Sequence, residues 1–177
     1  MRDEQAEPTL AYIAYEDFLA DVDAVAAKIV GDPWRADFLV GIGRGGLVPT
    51  AYLSHRLDVP MLSVDVSSGE PGFADELLVK LAAKMKGGQR ILIVDDINDS
   101  GGTIASLRTA LEALGGDGER VRVAVLLNNL RSRANVDYWS RTIDRSDDKR
   151  WFVFPWEAQA DRRTLIDEAG AVPERLA

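Results

Sequence analysis

The sequence has no cysteine and a single histidine. Disulfides, thiolate metal sites and a cysteine nucleophile are therefore excluded. His55, inside a predicted helix and without a paired nucleophile, argues against serine–histidine–aspartate chemistry and histidine-based metal sites. Long apolar runs are also missing: residues 121–127, among the longest, are interrupted by Arg122 and fall far short of the roughly 20 residues a membrane span requires. Residues 1–8 are acidic and polar where a signal peptide would start basic and turn apolar, so a cytoplasmic protein is expected. Positive charge is in the minority, 21 Lys and Arg against 29 Asp and Glu, for a net charge of −8. That balance speaks against sequence-independent nucleic-acid binding through a broad basic face. What remains is an ordinary globular composition, 46% hydrophobic and 28% charged over 177 residues, which fits one domain spanning 1–177.

Apolar spacing organises the chain. Tyr15, Phe18, Leu19, Val22, Val25, Ala26 and Ile29 recur at intervals of three and four, predicting an amphipathic helix that stops near Gly31-Asp32-Pro33. Phe38-Leu39-Val40-Gly41-Ile42 reads as a buried strand breaking into Gly43-Arg44-Gly45-Gly46, with a helix over 47–57. Residues 61–66 form a second strand candidate, followed by a Gly/Ser/Pro-rich stretch, 67–72, that reads as a mobile loop. Phe73, Leu77, Leu78, Leu81 and Met85 have helical spacing before Gly87-Gly88. Ile91-Leu92-Ile93-Val94 is a buried strand, and Ile104, Leu107, Leu111 and Leu114 mark the helix after it. Residues 121–127, 138–139 and 151–154 complete the strands. Alternating strands and helices predict an α/β fold with a mainly parallel sheet flanked by helices. Ligands bind such sheets at the carboxyl ends of strands, where both glycine-rich loops fall.

The first loop, Gly41-Ile42-Gly43-Arg44-Gly45-Gly46, matches G-x-G-x-x-G between strand and helix, with Asp65 further on. A dinucleotide-binding oxidoreductase is one reading of it. Arg44 points instead to a more highly charged ligand such as pyrophosphate, since a cation within a loop of backbone N–H groups suits a polyanion. The second loop is more specific. Asp95 and Asp96 end an apolar strand, and Asp99 opens the small-residue turn Ser100-Gly101-Gly102-Thr103 that leads into a helix. Small residues at a helix N-terminus let backbone N–H groups and hydroxyls close around a phosphate. Carboxylates repel phosphate, so the natural partners of Asp95 and Asp96 are ribose hydroxyls or the Mg²⁺ that accompanies a polyphosphate.

Residues 91–103 resemble the signature of the type I phosphoribosyltransferases, which bind 5-phosphoribosyl-1-pyrophosphate (PRPP) with Mg²⁺ and move its phosphoribosyl group to a nitrogenous base. Two further stretches, Gly43-Arg44-Gly45-Gly46 and Trp151-Phe152-Val153-Phe154-Pro155-Trp156-Glu157, are similar to the pyrophosphate loop and the base-binding segment of bacterial and archaeal xanthine-guanine and hypoxanthine phosphoribosyltransferases. The resemblance spans about residues 36–158; the first twelve residues and the tail from Gln159 carry none of it. It implies the type I phosphoribosyltransferase fold with a mobile hood at about 65–86 and a base-binding segment at about 128–158. Asp95 and Asp96 would bind the ribose hydroxyls and help hold Mg²⁺, with Glu157 a further metal candidate. Asp99, Ser100, Gly101, Gly102 and Thr103 would hold the 5′-phosphate, and Asp99 would also take or share a ring proton of the base. Arg44 and Gly45 would meet pyrophosphate, often with a cis peptide before the arginine. Trp151 would stack on the base and the Phe152 backbone would read its edge.

The implied reactants are PRPP and a nucleobase of the purine class, the products a nucleoside monophosphate and pyrophosphate, and the assembly a homo-oligomer, dimer or tetramer. One departure bears on the base. Relatives specific for 6-oxopurines carry a lysine at the position that, counted back from Asp137-Tyr138, is Asn129 here. An amide both donates and accepts, so a 6-oxo base is no longer required: an aminopurine, a modified purine or another base is admitted, and hypoxanthine, guanine and xanthine are expected to be poor substrates. A PRPP-sensing regulatory protein without turnover is the rival from another class; it would be expected to carry an added DNA-binding segment or a basic face.

Overall fold

The computed structural model describes residues 7–64 and 73–171. In chain order the elements are β1 (Leu10–Tyr12), α1 (Tyr15–Gly31), β2 (Phe38–Ile42), α2 (Gly43–Leu57), β3 (Met61–Val64), α3 (Phe73–Lys86), β4 (Ile91–Asn98), α4 (Gly102–Ala113), β5 (Val121–Asn129), β6 (Tyr138–Ile143), β7 (Trp151–Val153) and α5 (Arg162–Gly170). Five strands form one parallel sheet in the order β3-β2-β4-β5-β6. β1 and β7 make a separate parallel pair, Leu10 opposite Trp151 and Tyr12 opposite Val153.

The continuous apolar strands are explained by burial on both faces. On β4, Leu92 and Val94 join Phe18, Val22, Val25 and Ile29 of α1 and Leu53 of α2 in one core. Ile91 and Ile93 point the other way, into a second core with Leu78, Leu81 and Met85 of α3 and Ile104, Leu107 and Leu111 of α4. Full burial of each such side chain contributes roughly 1.5–3 kcal/mol. The chain leaves β2 towards β3 on one side and leaves β4 towards β5 on the other, so the strand order reverses between β2 and β4. A crevice opens at such a point, outside the carboxyl ends of the two strands.

Several sequence expectations change. α2 begins at Gly43 rather than 47, which puts Arg44 in a helical turn, and β4 continues through Asp95 and Asp96 to Asn98. The peptide bond before Arg44 is trans, and Gly43 instead takes φ +53°. Within the hood expected at about 65–86, Leu78, Leu81, Ala82 and Met85 are buried in the sheet core, because their helical spacing packs α3 against β4 and α4. The loop at 65–72 lies outside the described residues.

Candidate active site

A cleft of about 860 Å³ occupies the β2/β4 crevice. Its walls come from Ile42 to Gly45, Asp95 to Ile104, Arg145, the segment from Trp151 to Ala160, and Glu168 and Ala171 beyond it. Parallel strands deliver the two loops side by side, with Gly41 of β2 opposite Val94 of β4.

Packing explains the glycines of the first loop. A Cβ added at Gly46 would lie 2.3 Å from the Val94 carbonyl oxygen, and one at Gly45 would lie 2.5 Å from Asp96 Oδ2. Only glycine lets the first turn of α2 come so close to β4 and its carboxylates. Within that turn Arg44 is exposed, and its Nη2 donates to Glu168 Oε1 at 3.3 Å.

Asp95 and Asp96 sit side by side at the floor. The Asp96 backbone N–H donates to Asp95 Oδ1 at 3.0 Å, and the Ile97 N–H to Asp96 Oδ1 at 2.7 Å. Burial pushes the Asp96 carboxyl up to about 6. Burial, reinforced by the charge of Asp96, holds Asp95 well above the ordinary carboxylate range. Glu157 is pushed up to about 7, again by burial first and then by Asp96, while its Oε2 accepts the Phe154 N–H at 2.9 Å. Three acidic groups in one cleft that resist ionisation mark a place where positive charge would be accepted. No three His, Asp or Glu side chains among the described residues are gathered closely enough to hold a metal ion by themselves.

The second loop is a tight small-residue turn at the N-terminus of α4. Gly101 takes φ +81° at the N-cap of α4, and a Cβ there would lie 2.5 Å from the Ala134 nitrogen. The Gly102 N–H donates to Ser100 Oγ at 3.2 Å. The first N–H groups of a helix have no partner in the helix itself and present partial positive charge. Ser100, Gly102 and Thr103 line the cleft at that end of α4.

The base-side expectations are redrawn by one residue that sequence reasoning missed. Arg145, between β6 and β7, is buried and pairs with Asp99: Nη2 to Oδ2 at 2.7 Å, Nε to Oδ1 at 2.9 Å and to Oδ2 at 3.1 Å. Asp99 thus lines the cleft as half of an ion pair. Asn129 does not line the cleft. It is buried behind Asp99, its Nδ2 donating to the Asp99 carbonyl at 3.0 Å and its Oδ1 accepting the N–H groups of Arg131 and Arg145. Its side chain is consumed in bracing two loops, which removes the ground for reading base preference from it. Trp151 and Phe152 both line the cleft, and Phe152 carries the Arg145 guanidinium over its ring at 5.3 Å. Phe154 stacks on Trp156 at 4.8 Å between centroids, and Trp156 meets Phe18 edge-on, so this part of the wall is anchored in the α1 core.

Residues 11–163 match the phosphoribosyl transferase domain. The chain belongs to this family. A xanthine-guanine phosphoribosyltransferase of Cereibacter sphaeroides is 30% identical over 82% of this chain and 86% of that protein. The crystal structure of a purine phosphoribosyltransferase from Pyrococcus horikoshii matches 84% of this chain and 93% of that one at 25% identity and a TM-score of 0.63. A protein of Neisseria gonorrhoeae solved with bound ppGpp shares the fold over 98% of this chain and all of its own, at 24% identity and a TM-score of 0.64. As in other phosphoribosyltransferases, the α/β sheet is parallel and flanked by helices. The dinucleotide reading of residues 41–46 gives way, since those glycines serve helix-to-strand packing in a phosphoribosyltransferase. No helix among the described residues is long and apolar enough to cross a membrane.

Proposed function

We propose that this phosphoribosyltransferase transfers the 5-phosphoribosyl group of PRPP to a purine base, with Mg²⁺, releasing pyrophosphate and a nucleoside monophosphate. The observation that carries the reading is the placement, on one cleft, of the Asp95–Asp96 pair, the small-residue cradle at the N-terminus of α4, and Arg44 with Gly45 at the N-terminus of α2. A ribose phosphate needs the first two, hydroxyl acceptors at one side and a phosphate cradle at the other. A pyrophosphate group at the anomeric carbon needs the third. The relatives named for xanthine-guanine and purine substrates support a purine as the acceptor.

The donor set fits a divalent cation. Mg²⁺ is commonly held by one or two carboxylates together with substrate phosphates, and Asp95 and Asp96 are adjacent carboxylates whose burial disfavours uncompensated charge. These two residues, with Glu157 a further candidate, would hold the ion, which when bound supplies positive charge to the leaving pyrophosphate. Arg44 adds a fork of N–H donors to the same oxygens. Ser100, Gly102 and Thr103 fix the 5′-phosphate, so that the anomeric carbon is held in line with the base nitrogen; such positioning is worth several kcal/mol of the barrier. Trp151 and Phe152 supply the aromatic wall against which a base lies, a contact worth roughly 1–3 kcal/mol in base–aromatic stacking generally.

The test is an assay with PRPP, MgCl₂ and a panel of purine bases, following nucleoside monophosphate by chromatography. Formation of a nucleotide with stoichiometric pyrophosphate is the expected result. PRPP binding with no product from any base would instead make the protein a PRPP-responsive regulator, and failure to bind PRPP would overturn the reading.

A further inference from the structure

We infer, on the phosphoribosyl-transfer reading above, that Asn129 is a positioning residue for the 5′-phosphate turn: with Asn98 and Ser132 it holds residues 99–101 from behind, and it does not read the base.

Asn129 ends β5 opposite Ile143 and is 6% exposed. Its amide has two N–H donors and a carbonyl with two lone pairs, and the protein uses all four. The Nδ2 group donates to Asp99, to its carbonyl at 3.0 Å and to its Oδ1 at 3.4 Å. The Asn129 Oδ1 accepts the backbone N–H of Arg131 at 3.1 Å and that of Arg145 at 3.3 Å. These partners dictate which way the amide faces, since two backbone donors meet one end and a backbone acceptor the other. Nothing is left over for a ligand, and no residue from 128 to 134 lines the cleft. Of the two isosteric side chains, leucine has neither function and aspartate lacks the donors.

A second amide continues the brace. Asn98, 1% exposed and opposite Asn128 in the sheet, donates from Nδ2 to Asn128 Oδ1 and to the Ala134 carbonyl, each at 2.8 Å. Its Oδ1 accepts the Ser132 hydroxyl at 2.7 Å. The Arg133 N–H donates to the Ser100 carbonyl at 3.2 Å, and Ala134 approaches Gly101 too closely to admit a Cβ there.

These contacts have a direction. They draw the carbonyls of Asp99 and Ser100 towards the loop after β5. The peptide bonds are trans, and in a trans peptide the carbonyl and the following N–H point opposite ways, so the N–H groups of Ser100 and Gly101 turn away from the brace. Neither N–H has an acceptor among the described residues, and both residues line the cleft. The brace therefore occupies the acceptors of the turn and leaves its donors facing the ligand, the arrangement a phosphate requires. A turn released from the brace could rotate a carbonyl towards the phosphate and lose that match.

Calorimetry with PRPP and with pyrophosphate, each with Mg²⁺, separates this role from a general loss of structure, because only PRPP carries a group that fills the turn. Asn129→Ala is expected to weaken PRPP roughly fivefold or more, the scale of one lost hydrogen bond, and to leave pyrophosphate within about twofold. Ser132 lies outside the cleft. Ser132→Ala removes one hydroxyl of the brace, is expected to weaken PRPP about threefold, and decides the matter where Asn129→Ala does not fold. In a turnover assay both variants are expected to keep the native ratio of kcat/KM between purine bases within about twofold. Unchanged PRPP affinity in a folded variant overturns the inference, and so does equal weakening of PRPP and pyrophosphate. A base ratio that shifts more than PRPP affinity does would make Asn129 a base-reading residue and overturn it as well. A native protein that binds no PRPP removes the phosphoribosyl-transfer reading, and the inference with it.

Discussion

Arg44 and Glu168 are joined by a 3.3 Å contact between Nη2 and Oε1, tying the first turn of α2 to the C-terminal helix α5, and both residues line the cleft. The arginine side chain is 81% exposed, so the pair is screened and contributes roughly 0–1 kcal/mol. A glutamate carboxylate occupies the guanidinium in the position proposed for pyrophosphate oxygens, and a polyanion has to displace it.

Glu168→Gln is accordingly expected to tighten pyrophosphate binding about two- to fivefold, on the scale of a surface ion pair. Arg44→Ala is expected to weaken pyrophosphate by more than tenfold and to affect nucleoside monophosphate less. Isothermal titration of the three proteins with both ligands reads these differences. Equal loss of both ligands in Arg44→Ala would place the arginine elsewhere in the site.

The raised carboxyls of Asp96 and Glu157, about 6 and about 7, make a pH prediction. In the unfolded chain such groups titrate near 4, so between about pH 4 and pH 7 the folded protein binds more protons than the unfolded one. Stability linked to these groups is present below that window and is lost as pH rises through it. Glu157→Gln removes one of the groups while keeping an acceptor for the Phe154 N–H. Relative to the native protein, its Tm is expected to rise at pH 8 and to change little at pH 5. A Tm difference of the same size at both pH values would show that Glu157 titrates in the ordinary carboxylate range.

The second loop was legible in the sequence because its chemistry is local: Asp95, Asp96 and the turn from Ser100 to Thr103 follow one strand and open one helix. The main helices were legible through spacing alone, as in α1, where Phe18, Val22, Val25, Ala26 and Ile29 all turn out buried. Arg145 was not. It lies in a polar, charge-rich stretch, Asp144 to Arg150, where one inward-facing arginine reads as part of a solvated run; the only hint is its position just before the aromatic strand β7. β1 escaped notice because three residues, Leu10–Tyr12, carry no periodicity and pair with a strand at the far end of the chain. α5 shows few apolar positions, Leu165 and Ala169 being the buried ones, yet it brings Glu168 to Arg44.

Gly102 separates folding from binding. A Cβ at this position would meet Ser100 Oγ at 3.4 Å, an ordinary contact, and the residue is the first of α4, where alanine is a better helix former by up to about 1 kcal/mol. Gly102→Ala is expected to leave Tm unchanged or slightly raised while weakening PRPP binding at least fivefold, because the added methyl enters the phosphate cradle. Thermal unfolding and calorimetry on the same sample check both halves. Undiminished PRPP affinity would show that the phosphate is held elsewhere.

The paired carboxylates at the end of β4 are the centre of the account, and the most direct test is the affinity for PRPP with Mg²⁺ of Asp95→Asn combined with Asp96→Asn, measured by calorimetry beside the native protein. Replacing two adjacent carboxyls whose charged forms are disfavoured removes their desolvation and mutual repulsion, so the double variant is expected to fold with a Tm at least equal to the native value. Its PRPP affinity is expected to fall at least tenfold, about 1.4 kcal/mol, through loss of the ribose acceptors and of the cation site together. Native affinity in the folded double variant would contradict the assignment of this cleft to PRPP.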